Sequence, residues 1–255
     1  MIAVTTAALL FVAGTVGGAI NSVAGGGSFL VFPSVLVVGV PPVAANATTA
    51  VALWPAGIAS TIAYRKDLPR DHKRTAVLAL TSALGGAMGA LLLLKTSDLT
   101  FTKILPLLMF AASLVFTLGP RLSKLHRGGH MPLVFGALLQ LLISSYGGYF
   151  GGGMGILMLA TFTLMGMTHL HTMNGLKTLL GLLINGAANV AFFAAHKVVI
   201  DVAIPIAIGS VVGGWLGASI ARTIDPKRVR LFVLVFAWGL TLYFTVQALR
   251  AFTRA

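Results

Sequence analysis

The sequence predicts an all-α polytopic membrane protein that consists of two inverted repeats. Two observations lead to this fold class. First, 57% of the residues are hydrophobic, 9% are charged and the mean hydropathy is +0.96, whereas about 25% of residues are charged in an ordinary soluble domain. Second, the chain divides into ten apolar runs, and the last five repeat the residue pattern of the first five. A chain of this kind crosses a lipid bilayer several times.

Most of the apolar runs are long enough to cross a bilayer as helices. They cover residues 2–23, 29–40, 43–64, 75–94, 104–118, 133–150, 156–167, 170–194, 198–220 and 229–248. Because about 20 helical residues are needed to cross ~30 Å of hydrocarbon, eight of these runs can span outright or nearly so. The runs 29–40 and 156–167 are too short, and each follows a triple glycine. Each is therefore predicted to be a broken or re-entrant helix.

A shift of 128 positions places the first half of the chain on the second. The shift brings Asn46 onto Asn174, Ser82 onto Ser210 and Phe116 onto Phe244. With a two-residue gap, glycines 25–27 fall on glycines 151–153. A single match arises easily by chance in a chain rich in Gly, Ala and Leu, but one register that holds over most of each half indicates duplication. The predicted organisation is a transmembrane repeat over residues 1–120, a cytoplasmic linker over 121–131 and a second repeat over 132–255.

Basic residues in the loops predict the relative orientation of the two repeats. The connection after the third run is rich in them, with Arg65, Lys66, Arg70, Lys73 and Arg74. The corresponding connection of the second repeat has Lys197 alone. Because Lys and Arg concentrate in cytoplasmic loops, corresponding loops lie on opposite sides of the membrane and the repeats are inverted. Inversion needs an odd number of crossings per repeat, which leaves either five or three crossings open.

The distribution of charge excludes several classes of function. The formal net charge of +13 does not indicate nucleic-acid binding, because the basic residues lie between apolar runs. The absence of cysteine excludes disulfides, thiolate catalysis and cysteine-based metal sites. The five acidic residues lie in or beside connections, so no run carries a buried carboxylate for a cation. His169 and His171 lie on different faces of a helix, which disfavours a shared metal ion. The sequence predicts no cofactor, no metal and a small anionic substrate.

Polar residues that follow both triple glycines mark the predicted substrate site. Lys177 lies within the run 170–194, about one turn after Asn174, and a buried ammonium group there favours an anionic partner. The glycine breaks add backbone N–H groups and the positive ends of short helices. The predicted substrate-binding residues are Gly26, Gly27, Ser28, Asn46, Thr48, Thr49, Gly152, Gly153, His171, Asn174 and Lys177.

Several of these residues also have a simpler structural explanation. Lys177 can snorkel towards the lipid headgroups, and glycines are common wherever membrane helices pack closely. His171 can sense or pass a proton at the mouth of a cavity, or it can be an interfacial loop residue without function. Asn185 and Asn189, one helical turn apart, can line the path or join helices through hydrogen bonds. Trp54 is predicted to mark a helix kink beside the site.

Two segments carry a resemblance to a known family. Residues 21–30 read NSVAGGGSFL and are followed by GVPP at 39–42, and residues 149–155 read YFGGGMG and are followed by HTMNGLK at 171–177. This pattern resembles the sulfite exporter TauE/SafE family over nearly the whole chain. The resemblance implies a multi-pass secondary transporter of the bacterial inner membrane that exports small anions such as sulfite, sulfonates or related organosulfur acids.

Other functions stay open at this point. An anion channel, or a permease for other anions such as carboxylates, is the alternative within membrane transport. An intramembrane hydrolase that uses Ser28 and His169 is disfavoured because no recognised nucleophile or metalloprotease motif is present. A non-transporting scaffold gives no reason for polar patches beside both glycine breaks. We therefore expect that the protein is not an enzyme. Its expected partners are the substrate anion and the lipid bilayer. The faces of its helices that carry small residues are compatible with a homodimer.

The inverted charge pattern predicts where two loops lie. Because Arg70 belongs to the basic loop and Lys197 to its sparsely charged counterpart, we expect Arg70 on the cytoplasmic side and Lys197 on the opposite side. Cysteines introduced singly at these positions, in a chain that has none of its own, can be labelled in intact cells with an impermeant maleimide. Position 197 should be labelled and position 70 protected, and equal labelling of both contradicts the inverted arrangement.

Overall fold

All regular elements of the described chain are helices. The computed structural model describes residues 3–23, 26–122, 131–220 and 226–252, and within these ranges it contains no strand, which confirms the predicted all-α class. The helices are α1 Val4–Val23, α2 Ser28–Val37, α3 Pro42–Ala63, α4 His72–Lys95, α5 Asp98–Leu122, α6 Leu133–Tyr149, α7 Met154–Leu164, α8 Leu170–Ala194, α9 Ile200–Ile220 and α10 Pro226–Phe252. A short 3₁₀-helix, Arg65–Asp67, follows α3. Most of the predicted linker, 123–130, lies outside the described residues.

Six of these helices are long and apolar enough to cross a membrane. They are α1, α4, α5, α8, α9 and α10. Of the other runs predicted to span, α3 has 22 residues but is less apolar because it carries Asn46, Thr48 and Thr49, and α6 has 17 residues. Helix α5 starts at Asp98, six residues before the predicted run, because the Ser97 hydroxyl accepts a hydrogen bond from the Thr100 N–H at 3.1 Å.

The two short helices α2 and α7 each start at a break made by glycine, as predicted. Gly26 has φ +113°, and Gly151 and Gly153 have φ +83° and +76°. These backbone conformations are strained for any residue with a Cβ atom, which explains the glycines. Gly25, the first residue of the earlier triplet, lies outside the described residues. The chain thus reverses within the helical bundle after α1 and again after α6.

The two halves contact each other through matching helix pairs. The most extensive contacts are those of α1 with α9 and of α4 with α6, and these pairs combine the first helix of one half with the fourth helix of the other. A Cβ atom at Gly213 of α9 would overlap the carbonyl oxygen of Thr15, and one at Gly85 of α4 would lie 2.6 Å from the carbonyl oxygen of Leu141. Thr15 and Leu141 correspond under the shift that relates the glycine triplets. The halves therefore use equivalent faces.

Helices α3 and α8, which correspond to each other in the two halves, run antiparallel. The carbonyl oxygen of Tyr64, just after α3, lies beside Gly175 near the start of α8. At the other end, the Val199 N–H, beyond α8, donates to Thr48 Oγ1 at 3.0 Å near the start of α3. Between these points Trp54 Nε1 donates to the carbonyl oxygen of Leu182 at 3.0 Å. Antiparallel packing is what inverted halves require, and their orientation in the membrane stays a prediction.

The close approach of α1 and α9 predicts a severe effect of a side chain at Gly213. We expect Gly213→Val to separate the two helices and to destabilise the protein by about 1–3 kcal/mol or more, because overpacking at a backbone contact cannot relax by a rotamer change. Thermal unfolding of the detergent-purified variants measures the loss. Gly239→Val is the control, since a Cβ atom there meets no atom within 4 Å. Equal stability of the two variants contradicts the prediction.

Candidate functional site

A cavity of about 220 Å³ lies between the two halves. It is bounded by the end of α1, the start of α2, helices α3, α7 and α8, the end of α6 and one residue of α5. Its polar lining residues are Asn21, Ser22, Ser28, Asn46, Thr49, Ser60, Tyr64, Asn174, Lys177, Thr178 and Asn185. Both glycine breaks contribute to the wall, through Gly26 on one side and Gly151, Gly153 and Gly155 on the other. The cavity is therefore built from the most polar parts of the apolar runs.

The walls formed by α3 and α8 repeat each other. Every α8 residue that lines the cavity has a partner 128 positions earlier on α3 that also lines it. The pairs are Asn46 with Asn174, Thr49 with Lys177, Ala50 with Thr178, Leu53 with Gly181, Trp54 with Leu182, Gly57 with Asn185 and Ser60 with Ala188. The register found in the sequence thus places equivalent faces of the two helices around one space. The chemistry of the two faces differs, because the lysine occurs on α8 alone.

Lys177 is the charged residue of the cavity: among the described residues that line it, no other is acidic, basic or a histidine. Its Nζ donates to Asn174 Oδ1 at 3.0 Å, one turn earlier on α8. Its alkyl chain runs along Gly155, where a Cβ atom would lie 3.2 Å from the lysine Cδ. Lys177 as a whole is half-buried, and its ammonium group has an amide oxygen, not a carboxylate, as its hydrogen-bond partner. An anion in the cavity would supply the counter-charge that the wall lacks.

The cavity is closed at the end where Asn46 lies. Asn46 is 6% exposed and Thr49 3% exposed, and Asn46 Nδ2 donates to the carbonyl oxygen of Tyr149 at 2.9 Å. An aromatic cluster seals this end: the rings of Phe32 and Phe150 meet edge-on at 6.2 Å between centroids, and the Phe101 ring packs against those of both Phe32 and Tyr149. These contacts join the start of α3 to the end of α6. They separate the cavity from the loops at that end of the bundle.

The opposite end of the cavity is partly exposed. Ser60, Tyr64, Asn174 and Thr178 are all half-buried, and Asn21 at the end of α1 is exposed. The four half-buried residues lie at the end of α3 and the start of α8, next to the 3₁₀-helix Arg65–Asp67. The cavity therefore opens towards the basic connection that the sequence assigns to the cytoplasm. Residues that correspond in the two halves, such as Asn46 and Asn174, differ in exposure because only one end is open.

The structure brings together seven of the eleven predicted substrate-binding residues. The residues that line the cavity are Gly26, Ser28, Asn46, Thr49, Gly153, Asn174 and Lys177. The other four are not among the residues that line it. Thr48 points away and accepts the Val199 N–H, and Gly27 packs against Gly17. The Gly152 carbonyl accepts the Tyr146 hydroxyl at 2.6 Å, and His171 is exposed in the first turn of α8.

Several lining residues were not predicted as substrate contacts. Ser60 of α3, Tyr64 just after it and Thr178 of α8 fall on the helix faces that begin at Asn46 and Asn174. Thr178 follows Asn174 by four residues, and Ser60 follows Asn46 by fourteen, so a helical stride from each asparagine would have found them. Asn185 and Trp54, which the sequence placed beside the site, line the cavity.

The histidines at the start of α8 are not part of the cavity wall. His169 and His171 are both exposed, so the arrangement does not bring His169 to Ser28 as a hydrolase would require. Within the described ranges no group of three or more His, Cys, Asp or Glu residues is arranged to hold a metal ion. The chemistry that the cavity offers is one ammonium group, amide and hydroxyl hydrogen-bond donors, and apolar walls.

Comparison with known sequences identifies a family and several relatives. The profile of the family described as sulfite exporter TauE/SafE matches residues 10–244. A probable membrane transporter protein of Haemophilus influenzae is 28% identical over 242 residues, which cover 92% of each chain. A probable membrane transporter protein, ORF9, of Sinorhizobium is 31% identical and covers 92% of this chain and 90% of its own. The probable membrane transporter YfcA of Escherichia coli is 27% identical over 236 residues. No solved structure matches the chain.

The unequal ends of the cavity predict different reactivities towards maleimide for cysteines placed at two threonine positions of its wall. Thr178, near the open end, and Thr49, at the closed end, each donate their hydroxyl to a carbonyl of their own helix. We expect Thr178→Cys to react with a water-soluble maleimide many times faster than Thr49→Cys in the detergent-purified protein, because Thr49 is 3% exposed. Mass spectrometry of the otherwise cysteine-free variants follows the reaction. Equal rates, or faster reaction at position 49, contradict a cavity that is closed at that end.

Proposed function

This chain belongs to the sulfite exporter TauE/SafE family, and on that premise we propose that it is a secondary transporter that exports small organosulfur anions. The family membership and the relatives make it a multi-pass membrane transporter. The proposal adds the substrate class, which comprises sulfite, sulfonates and related acids, the outward direction and the bacterial inner membrane as the location. The observation that carries the substrate class is the single charged side chain, Lys177, in a cavity whose lining has no carboxylate.

The polar lining favours an oxyanion over a cation or a neutral solute. The ammonium group of Lys177, the amides of Asn174 and Asn185, and the hydroxyl of Ser28 can donate hydrogen bonds to sulfite or sulfonate oxygens. A charged hydrogen bond in a site of low dielectric is stronger than one in water. A cation would meet the like charge of Lys177 and find no carboxylate. The electrostatics of the cavity therefore support an anionic substrate.

The size and the apolar part of the cavity favour an organic anion that is larger than sulfite alone. A cavity of about 10–15 Å³ is enough to hold one water molecule. The cavity of about 220 Å³ therefore leaves room for a sulfonate with a short carbon chain. Trp54, Phe116, Phe150 and Met154 provide apolar surface in the same cavity. We propose that the sulfonate group faces Lys177 and that the carbon chain lies along these side chains.

The mechanism that we propose is alternating access between two inverted halves. The described arrangement is closed at the Asn46 end and open towards the connection that contains Arg65 and Lys66, so it represents the state that faces the cytoplasm under the positive-inside rule. In the opposite state the halves exchange roles, the Asn174 end closes and the Asn46 end opens. An anion channel would need both ends to be open together, and the aromatic seal at Phe150 favours a transporter.

The proposed role of Lys177 predicts a specific loss of anion affinity. Lys177→Ala leaves a desolvated oxyanion without its counter-charge, which costs about 2–5 kcal/mol, so binding weakens at least about tenfold. Lys177→Arg keeps the charge and should be less harmful. Anion binding to the purified variants is measured by calorimetry or scintillation proximity, and flux is measured in proteoliposomes with sulfite, thiosulfate, sulfonates and carboxylates.

The matched control is Lys197→Ala, which removes an equal charge from an exposed loop that does not line the cavity. It should leave the affinity unchanged. Normal affinity in Lys177→Ala together with poor membrane insertion or lower stability is the result that a snorkelling lysine gives, and it would remove Lys177 from the site. Flux of carboxylates but not of sulfite or sulfonates would contradict the proposed substrate class.

A further inference from the structure

Asn189 of α8 is buried without any hydrogen-bond partner for its side chain. It is 5% exposed, and neither Nδ2 nor Oδ1 has a partner among the described residues. Asn185, one turn earlier, lines the cavity and donates its Nδ2 to the carbonyl oxygen of Gly181 at 3.1 Å. A buried primary amide that makes no hydrogen bond is disfavoured relative to an apolar side chain of the same size. Asn189 therefore needs an explanation that packing in this state does not provide.

The position of Asn189 is on the continuation of the cavity wall, behind its closed end. Ala188 is 1% exposed and is the last α8 residue that lines the cavity, while Phe192 beyond it is fully buried. Asn189 follows Asn185 by four residues and so continues the polar face of α8.

Contacts between α3 and α8 indicate how deep in the bundle Asn189 lies. Gly186 lies against the Trp54 ring, and the Val199 N–H bonds to Thr48. Asn189 is thus level with the part of α3 between Thr48 and Trp54, where the bundle is sealed.

We propose that Asn189 forms a second polar subsite for the anion, which is exposed when the closed end opens. In that state Nδ2 donates to an oxyanion oxygen as the substrate passes from Lys177 towards the non-cytoplasmic side, and Oδ1 accepts a hydrogen bond from water. This inference rests on the proposed function, since it concerns the second half of the same path. It explains why an amide is present at a position where the described arrangement, closed at the Asn46 end, gives it no hydrogen-bond partner.

An apolar side chain at position 189 is expected to slow anion transport without weakening anion binding. Asn189→Leu removes the unpartnered amide without creating a void, so anion affinity of the purified protein should be unchanged and its thermal stability equal or higher. The rate of anion flux in proteoliposomes should fall by about tenfold, the loss expected for a hydrogen bond to a charged group. Asn185→Leu is the matched control, and because Asn185 lines the cavity it should weaken binding itself.

Accessibility gives a second test that does not depend on which anion is used. Asn189→Cys should be labelled by an impermeant maleimide added outside intact cells, whereas Ile184→Cys should not, because Ile184 is fully buried against Gly86. Lower stability of Asn189→Leu with parental flux would identify a site that holds a structural water and would overturn the inference. Absence of labelling at position 189 in a chain that transports would also overturn it. A parent chain that moves no anion would reject the proposed function, and the labelling would still decide whether Asn189 lines an opening path.

Discussion

The close approach of helix backbones at glycines is the constraint on which the arrangement of the two halves depends. Lipid does not drive helices together by the hydrophobic effect, so association relies on tight packing and on hydrogen bonds between helices. Gly213 lies against the backbone of Thr15, and Gly86 lies against the backbone of both Ile184 and Gly148. These contacts bring α1 against α9, and α4 against α6 and α8, so each pair joins one half to the other. The cavity occupies the space that remains between α3 and α8, which are held at their crossing by the Trp54 indole.

Equivalent positions in the two halves form the walls of the site, and the differences between these positions provide its chemistry. Equivalent positions on α3 and α8 line the cavity, yet Thr49 corresponds to Lys177, Ala50 to Thr178 and Gly57 to Asn185. The second half therefore carries the charge and most of the hydrogen-bond donors near it. The first half contributes Asn46, which is tied to the Tyr149 carbonyl and belongs to the seal. Two copies of one fold thus serve different tasks within a common space.

The helices could be predicted from the sequence because lipid demands long apolar runs, and glycine and charge mark their ends. The core of the site could be predicted because Asn46, Asn174 and Lys177 are unusual inside such runs. Thr48 could not be separated from Thr49 by pattern alone, since one residue turns the side chain by about 100° and only packing decides which face meets Val199. The glycines 27 and 152 look equivalent to their lining neighbours in the sequence, but a helix contact and the Tyr146 hydroxyl use them instead.

The restriction of the positive charge to one half has a consequence for the energetics of a transport cycle. In the alternating-access cycle that we propose, two halves with identical side chains around the site would give end states related by a two-fold rotation, and these would bind the anion equally well. Because Lys177 corresponds to Thr49 in the other half, the ammonium group would have different neighbours in each end state of that cycle, and the affinities on the two faces of the membrane would be free to differ. The direction of net flow is still set by the concentration gradient of the anion. Microscopic reversibility requires that a difference in anion affinity between the two end states is compensated by a difference between the free energies of the two empty states. In the cycle that we propose, the difference between the two halves therefore allows the affinity at each face of the membrane to be tuned separately.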